Sequence, residues 1–157
     1  MKSRCVNLLD AQATRALGQA LAGDWLALPA ASRPPVLLKG DLGAGKTCLV
    51  QGLALALGIT EPVTSPTFAL AQHYRGTTGA LVHLDLYRLE LSAAADELLA
   101  QEEEAALELG ALLAVEWPER LSALPPDCWL LELVLLDPER PEAGREARLS
   151  LGSPEKP

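Results

Sequence analysis

The chain has 157 residues, 49% of them hydrophobic, with 13 Lys and Arg against 21 Asp and Glu for a net charge of −8. A single domain of this size buries roughly 68–70% of its unfolded surface, and the apolar content suffices for a real core, so extensive disorder is excluded. So acidic a chain can present the clustered cations of a phosphate-tracking surface only locally, and 4% aromatics provide no stacking platform for single-stranded nucleic acid.

Residues 6–9 form a short strand candidate. Asp10 then offers a carboxylate to the free amides of a helix that carries Ala11, Leu17, Leu21 and Ala22 on one side and ends near Gly23. The stretch 27–35, rich in Ala, Ser and Pro, is a loop, and Pro35-Val36-Leu37-Leu38-Lys39 is a buried strand. A glycine-rich turn follows, then a helix over 46–57 that stops at Gly58, a residue suited to left-handed backbone. Strands at 67–74 and 80–87 flank the turn Arg75-Gly76-Thr77-Thr78-Gly79. Ser92 caps a long acidic helix to about Leu109, Gly110 ends it, and 111–115 is another apolar run. A short helix at 118–121 and strands at 129–136 and 145–151 complete the pattern. With no internal repeat and no linker, this is one α/β domain over residues 1–151, and 152–157 is expected to be a disordered tail.

The glycine-rich turn reads Gly40-Asp41-Leu42-Gly43-Ala44-Gly45-Lys46-Thr47, which fits G-x-x-x-x-G-K-[ST] with a strand before it and a helix after it. Gly40, Gly43 and Gly45 let the backbone curl so that successive N–H groups point at phosphate oxygens, and the helix N-terminus adds partial positive charge. Lys46 brings an ammonium to the β- and γ-phosphates, and the Thr47 hydroxyl supplies one oxygen to Mg²⁺. The fold class is therefore a P-loop NTPase domain, with a mixed parallel and antiparallel sheet flanked by helices.

Such a loop needs acidic partners on neighbouring strands. Two apolar runs end in carboxylates: Ala80-Leu81-Val82-His83-Leu84-Asp85 and Leu112-Leu113-Ala114-Val115-Glu116. One carboxylate can hold the metal and the other can orient or deprotonate the attacking water, and the sequence leaves the assignment open. Asn7 is the only Asn, so the Asn-Lys-x-Asp element that reads guanine is absent and adenine is the expected base. No Lys or Arg lies between Arg88 and Arg120, which removes the arginine lid of small-molecule kinases. The three cysteines, Cys5, Cys48 and Cys128, are widely spaced without a Cys-x-x-Cys pair and read as reduced thiols. No apolar run approaches the ~18–20 residues of a membrane span, and charges interrupt the N-terminal stretch where a secretory signal would need an apolar core. A cytoplasmic location is expected.

The loop, followed in order by Thr64-Ser65-Pro66-Thr67-Phe68, His83-Leu84-Asp85-Leu86-Tyr87-Arg88, Glu116-Trp117-Pro118-Glu119-Arg120 and Gly144-Arg145-Glu146-Ala147-Arg148, resembles the bacterial TsaE (YjeE) family over nearly the whole chain. The resemblance implies a Mg-dependent ATPase, weak alone, that works with the TsaD–TsaB pair in making threonylcarbamoyladenosine in tRNAs reading codons that begin with A. It further implies that residues 43–47 (Gly43, Ala44, Gly45, Lys46, Thr47) bind ATP phosphates, that Thr47 and Glu116 hold Mg²⁺, and that Asp85 is essential for hydrolysis. Trp117 would lie near the nucleotide, and Thr14 and Arg145 would approach it from the first helix and the last strand. Thr64-Ser65-Pro66-Thr67 resembles a switch loop. His83, one residue removed from Asp85 on a buried strand, reads as a core or supporting histidine. Tyr87 and Arg88 would face a partner or support the site, while Cys48 packs as a small apolar residue. The segment 101–108 departs from the family in being more acidic and lacking its usual glycine. A small-metabolite kinase and a non-hydrolysing ATP-dependent binding module are the competing readings. They differ in whether phosphate passes to a small molecule, to water, or nowhere.

Nine acids and no base lie between Arg88 and Arg120, leaving 12 acids against 13 bases elsewhere. The negative charge thus belongs mainly to one segment, read as a solvated face. Direct tRNA binding there is disfavoured, and tRNA is expected to be met indirectly, held by a partner.

Overall fold

The structure, a computed structural model, describes residues 2–66 and 70–151. Strand β1 (Lys2–Leu8) leads into helix α1 (Ala11–Ala27), followed by β2 (Val36–Lys39), α2 (Lys46–Ala56), β3 (Ala71–Arg75), β4 (Ala80–Asp85), α3 (Ser92–Leu109), β5 (Leu112–Glu116), β6 (Trp129–Leu135) and β7 (Arg145–Leu151). The strands form one sheet in the order β1-β7-β6-β2-β5-β4-β3. β2 lies between β5 and β6 and is parallel to both, and β4 is parallel to β5. Antiparallel strands close both edges, β3 on β4 and the pair β7 and β1 on β6. This is the mixed α/β sheet expected from the sequence.

The apolar runs of β2, β4 and β5 are continuous because helices cover both faces of the sheet. Val36 and Leu38 of β2 pack with Leu17, Leu21 and Trp25 of α1 and with Leu49, Leu53 and the adjoining Leu57 at α2. Leu37, pointing the other way, joins Val82, Val115 and the α3 residues Ala95 and Leu99. The alternation within four residues of β2 thus sets three layers, α1 and α2 on one face and α3 on the other.

α1 and α2 cross with backbones almost touching. A Cβ placed on Gly18 would fall 2.3 Å from the Leu49 carbonyl oxygen, and one on Gly52 would fall 2.1 Å from that of Arg15. The second turn of α1 is thereby fixed beside the helix that starts at Lys46.

Several boundaries differ from expectation. β1 begins earlier, because its full length pairs with β7, and ends at Leu8. Asp10 caps α1 as expected, its Oδ1 accepting from the Ala13 N–H at 2.8 Å. The helix runs past Gly23 to Ala27, however, since Trp25 continues the buried stripe and donates its indole N–H to the Pro34 carbonyl at 2.8 Å. Ala11 is exposed, not on the buried side. The loop beyond holds a 3-10 turn at Ala30–Ser32. Ser92 is the first residue of α3, whose cap position is Leu91 with no side-chain bond, whereas Gly110 ends that helix in left-handed backbone at φ 62° as expected. β4 stops at Asp85 because the chain turns there, the Tyr87 N–H donating to Asp85 Oδ1 at 3.0 Å. Of the expected strand 67–74, residues 67–69 lie outside the described residues, as does the tail 152–157.

Candidate nucleotide site

The C-terminal ends of β2, β5 and β4 lie side by side, and each delivers part of the site. β2 runs into loop 40–47, where Gly43 and Gly45 take φ of 82° and 106°, values that disfavour any side chain. Space around Gly43 is open, with nothing within 4 Å of a Cβ built there. At Gly45 a Cβ would meet Arg145 Nη1 at 2.6 Å, so a side chain there would have to displace the end of that arginine. Arg145 donates through that Nη1 to the Ala44 carbonyl at 2.7 Å, bracing the loop from the last strand.

Lys46 is buried at 6% exposure. Its ammonium donates to the carbonyls of Gly40 and, at 3.3 Å, Asp41, and lies 4.3 Å from the centroid of the Trp117 ring. Burial lowers its pKa, opposed by the charges of Glu116, Asp85, Glu119 and Asp41. An ammonium has three N–H donors, and with two of them on loop carbonyls Lys46 keeps one for a phosphate oxygen. The Thr47 hydroxyl lies 2.8 Å from that of Ser65, linking the start of α2 to the segment expected to act as a switch. Thr67 of that segment lies outside the described residues.

Asp85 and Glu116 are register partners at the ends of parallel β4 and β5. Glu116 is 2% exposed and its Oε2 shares a hydrogen bond with His83 Nε2 at 2.5 Å, the imidazole itself being fully buried. Burial raises the Asp85 pKa, helped by the neighbouring Glu116 charge, while the Tyr87 N–H, His83 and Lys46 lower it. The two carboxylates therefore sit in different settings, Glu116 held deep and Asp85 half-buried with raised basicity.

Trp117, immediately after β5, adopts left-handed backbone with φ 60° and ψ 50°. Its N–H donates to the Leu38 carbonyl at 3.3 Å, and its ring packs between the Lys46 ammonium and Tyr87, whose centroid is 4.9 Å away. Arg120 stacks on Tyr87 at 5.7 Å. This Lys46, Trp117, Tyr87, Arg120 series was not legible in sequence, although the Glu116-Trp117-Pro118-Glu119-Arg120 block carried half of it. Thr14 is fully buried in the first turns of α1, its hydroxyl donating to the Asp10 carbonyl at 3.1 Å. It forms part of the α1 wall beside α2 and directs no free donor outward. Cys48 receives Arg15 Nη1 at 4.0 Å.

One hydroxyl and two carboxylates beside an open glycine loop fit Mg²⁺ with a nucleotide. That ion takes one or two carboxylates together with phosphate oxygens and retained waters, and needs no cage built only of side chains.

Residues 8–145 match the family model described as Threonylcarbamoyl adenosine biosynthesis protein TsaE. The chain belongs to the TsaE family. Among relatives named tRNA threonylcarbamoyladenosine biosynthesis protein TsaE, that of Synechocystis is 48% identical over 121 residues, covering 75% of this chain and 72% of the relative. That of Nostoc is also 48% identical, over 90 residues covering 57% of this chain and 56% of the relative, so this match spans just over half the relative's length. The crystal structure of YdiB from Bacillus subtilis is similar with a TM-score of 0.67 at 26% identity, covering 97% of this chain and 87% of that one. Membership in the TsaE family places the protein in tRNA threonylcarbamoyladenosine biosynthesis with a P-loop NTPase-type fold. Among the described residues no helix is long and apolar enough to cross a membrane.

Proposed function

We propose that the chain is a Mg²⁺-dependent ATPase, weak alone, that works with the TsaD–TsaB pair in forming threonylcarbamoyladenosine on tRNA in the cytoplasm. The observation that carries this reading is the register pairing of Asp85 with Glu116 on the strands beside the Lys46 loop. Together they supply a cation for phosphate, a metal carboxylate and a base for water.

Bound Mg²⁺ supplies charge neutralisation at the β- and γ-phosphate oxygens. The N–H groups of loop 40–47 and the Lys46 ammonium hold those oxygens, while Thr47 and Glu116 give oxygens to the cation. Asp85 would give the cation a further carboxylate and would take the proton of the water that attacks the γ-phosphorus as the bond to the ADP oxygen breaks. Arg145 from β7 and Thr14 from α1 wall one side of the loop, and Trp117 covers the other. The site works by positioning and charge, with no covalent intermediate. The protein meets tRNA indirectly, beside a partner that holds it, with the acidic segment turned from the phosphates.

Measuring ATP turnover with Glu116→Ala and Lys46→Ala tests the assignment. Lys46→Ala loses nucleotide binding, whereas Glu116→Ala keeps binding and stops turnover. Hydrolysis by Glu116→Ala at the rate of the unaltered chain overturns it.

A further inference from the structure

We infer that His83 is a positioning residue for Glu116, presenting that carboxylate to the Mg²⁺-nucleotide by holding one of its two oxygens. The inference rests on the reading of Glu116 as a metal carboxylate.

His83 lies on β4 two residues before Asp85, so both project to the same side of the sheet. In register it faces Ala114, and Asp85 faces Glu116. The small Ala114 leaves the imidazole room to reach diagonally to Glu116, two residues further along β5. The contact is Nε2 to Oε2 at 2.5 Å, with the histidine at 0% exposure and the glutamate at 2%.

An ionised Glu116 oxygen can only accept, so the donor in this pair is Nε2 of His83. Nδ1 is buried and has no hydrogen-bond partner among the described residues. Leu81, Val82 and Leu84 fill the same strand with purely apolar side chains. A histidine that merely filled this space would be outperformed by another apolar residue, because its second nitrogen is desolvated without return. What distinguishes it is the single directed donor toward Glu116. With Oε2 held inside the sheet, Oε1 is the oxygen left for the cation, and the carboxylate plane cannot swing toward Lys46 and form an ion pair in its place. Groups that orient metal ligands in this way typically change metal affinity by 10–100-fold when removed.

The test compares His83→Phe, which keeps the ring and removes the donor, with His83→Gln, whose amide nitrogen can donate at a similar reach. ADP binding is measured by calorimetry in EDTA and across a Mg²⁺ titration. His83→Phe is expected to bind ADP in EDTA within about twofold of the unaltered chain yet to require roughly tenfold more Mg²⁺ for half its effect. His83→Gln recovers most of that difference. An unchanged Mg²⁺ requirement in His83→Phe overturns the inference, as does an equal loss in EDTA, which would mark a purely structural role. Glu116→Gln is run in parallel. If it leaves the Mg²⁺ requirement untouched, the reading of Glu116 fails and the inference falls with it. If it shifts the requirement and His83→Phe does not, only the inference falls. Should His83→Phe fail to fold, nitrogen-15 spectra of the unaltered chain, which has two histidines, decide the point: His83 is expected to carry a proton on Nε2, and a ring with none there overturns the assignment.

Discussion

The hydroxyls of Thr47 and Ser65 lie 2.8 Å apart, joining the first turn of α2 to the segment that leads toward β3. Each hydroxyl has one proton and two lone pairs, so Thr47 can donate to Ser65 while keeping a lone pair for the cation. Ser65→Ala removes the partner and leaves the ligand, at a cost of about 0.5–1.5 kcal/mol. Mg²⁺-nucleotide affinity is expected to fall about two- to tenfold, read by calorimetry, whereas Thr47→Ala abolishes turnover. Equal effects of the two substitutions would contradict this division of roles.

The close crossing of α1 and α2 has no room for a methyl group. Gly52→Ala puts a carbon 2.1 Å from the Arg15 carbonyl oxygen, a backbone atom that moves only with its helix. Overpacking of this kind costs about 1–3 kcal/mol. At roughly 2–4 °C per kcal/mol for a chain of this size, the melting temperature followed by circular dichroism should fall by about 2–12 °C. A melting temperature unchanged by the substitution would refute the tight crossing.

The catalytic task proposed for Asp85 comes with a burden on the fold. Burial, together with Glu116, raises its pKa, so its charged form is disfavoured in the folded chain. Its contribution to stability is complete below the ordinary carboxylate range and is lost as pH rises through the raised folded value. Asp85→Asn is therefore expected to unfold at a higher temperature than the unaltered chain at pH 7 and to converge with it in acid. Its ATP turnover should fall by at least about 100-fold, the usual scale for a missing general base. Greater stability with lost activity is the joint signature to measure.

A second carboxylate follows the same sign far from the site. Glu103 of α3 lines a groove of about 400 Å³ with Trp25, Pro34, Leu107 and Pro125, and burial raises its pKa above the ordinary 4.5. The unaltered chain should lose stability relative to Glu103→Gln as pH rises through that raised value, and the two should melt together below it. Melting curves across a pH series check this, and a gap that widens toward acid would contradict it.

What could be read from the sequence follows the range of the forces involved. Loop 40–47 was legible because its glycines, Lys46 and Thr47 act through local backbone geometry at fixed spacing. Asp85 and Glu116 were legible as strand-end carboxylates, and β7 was legible from end to end. The end of α1 was not, because the local signal of Gly23 was outweighed by the burial of Trp25 three-dimensionally against Pro34. The assumed cap at Ser92 fell one residue inside α3 for a similar reason, the helix starting from an extended Leu91 without any side-chain bond. The contacts of Lys46 with Trp117 and of His83 with Glu116 depend on β4, β5 and β2 being neighbours. Sheet order is set by the packing of the whole chain, and no short spacing encodes it.

Hydrolysis of ATP at this site is proposed to serve tRNA modification. The most direct measurement mixes the chain with a cognate TsaD–TsaB pair, tRNA, ATP and the threonylcarbamoyl donor, and follows ADP release and modified adenosine together. Both are expected to rise well above the level of the separate components with the unaltered chain, and neither with Lys46→Ala. If cognate partners raise neither ADP release nor modified adenosine, the proposed function is contradicted.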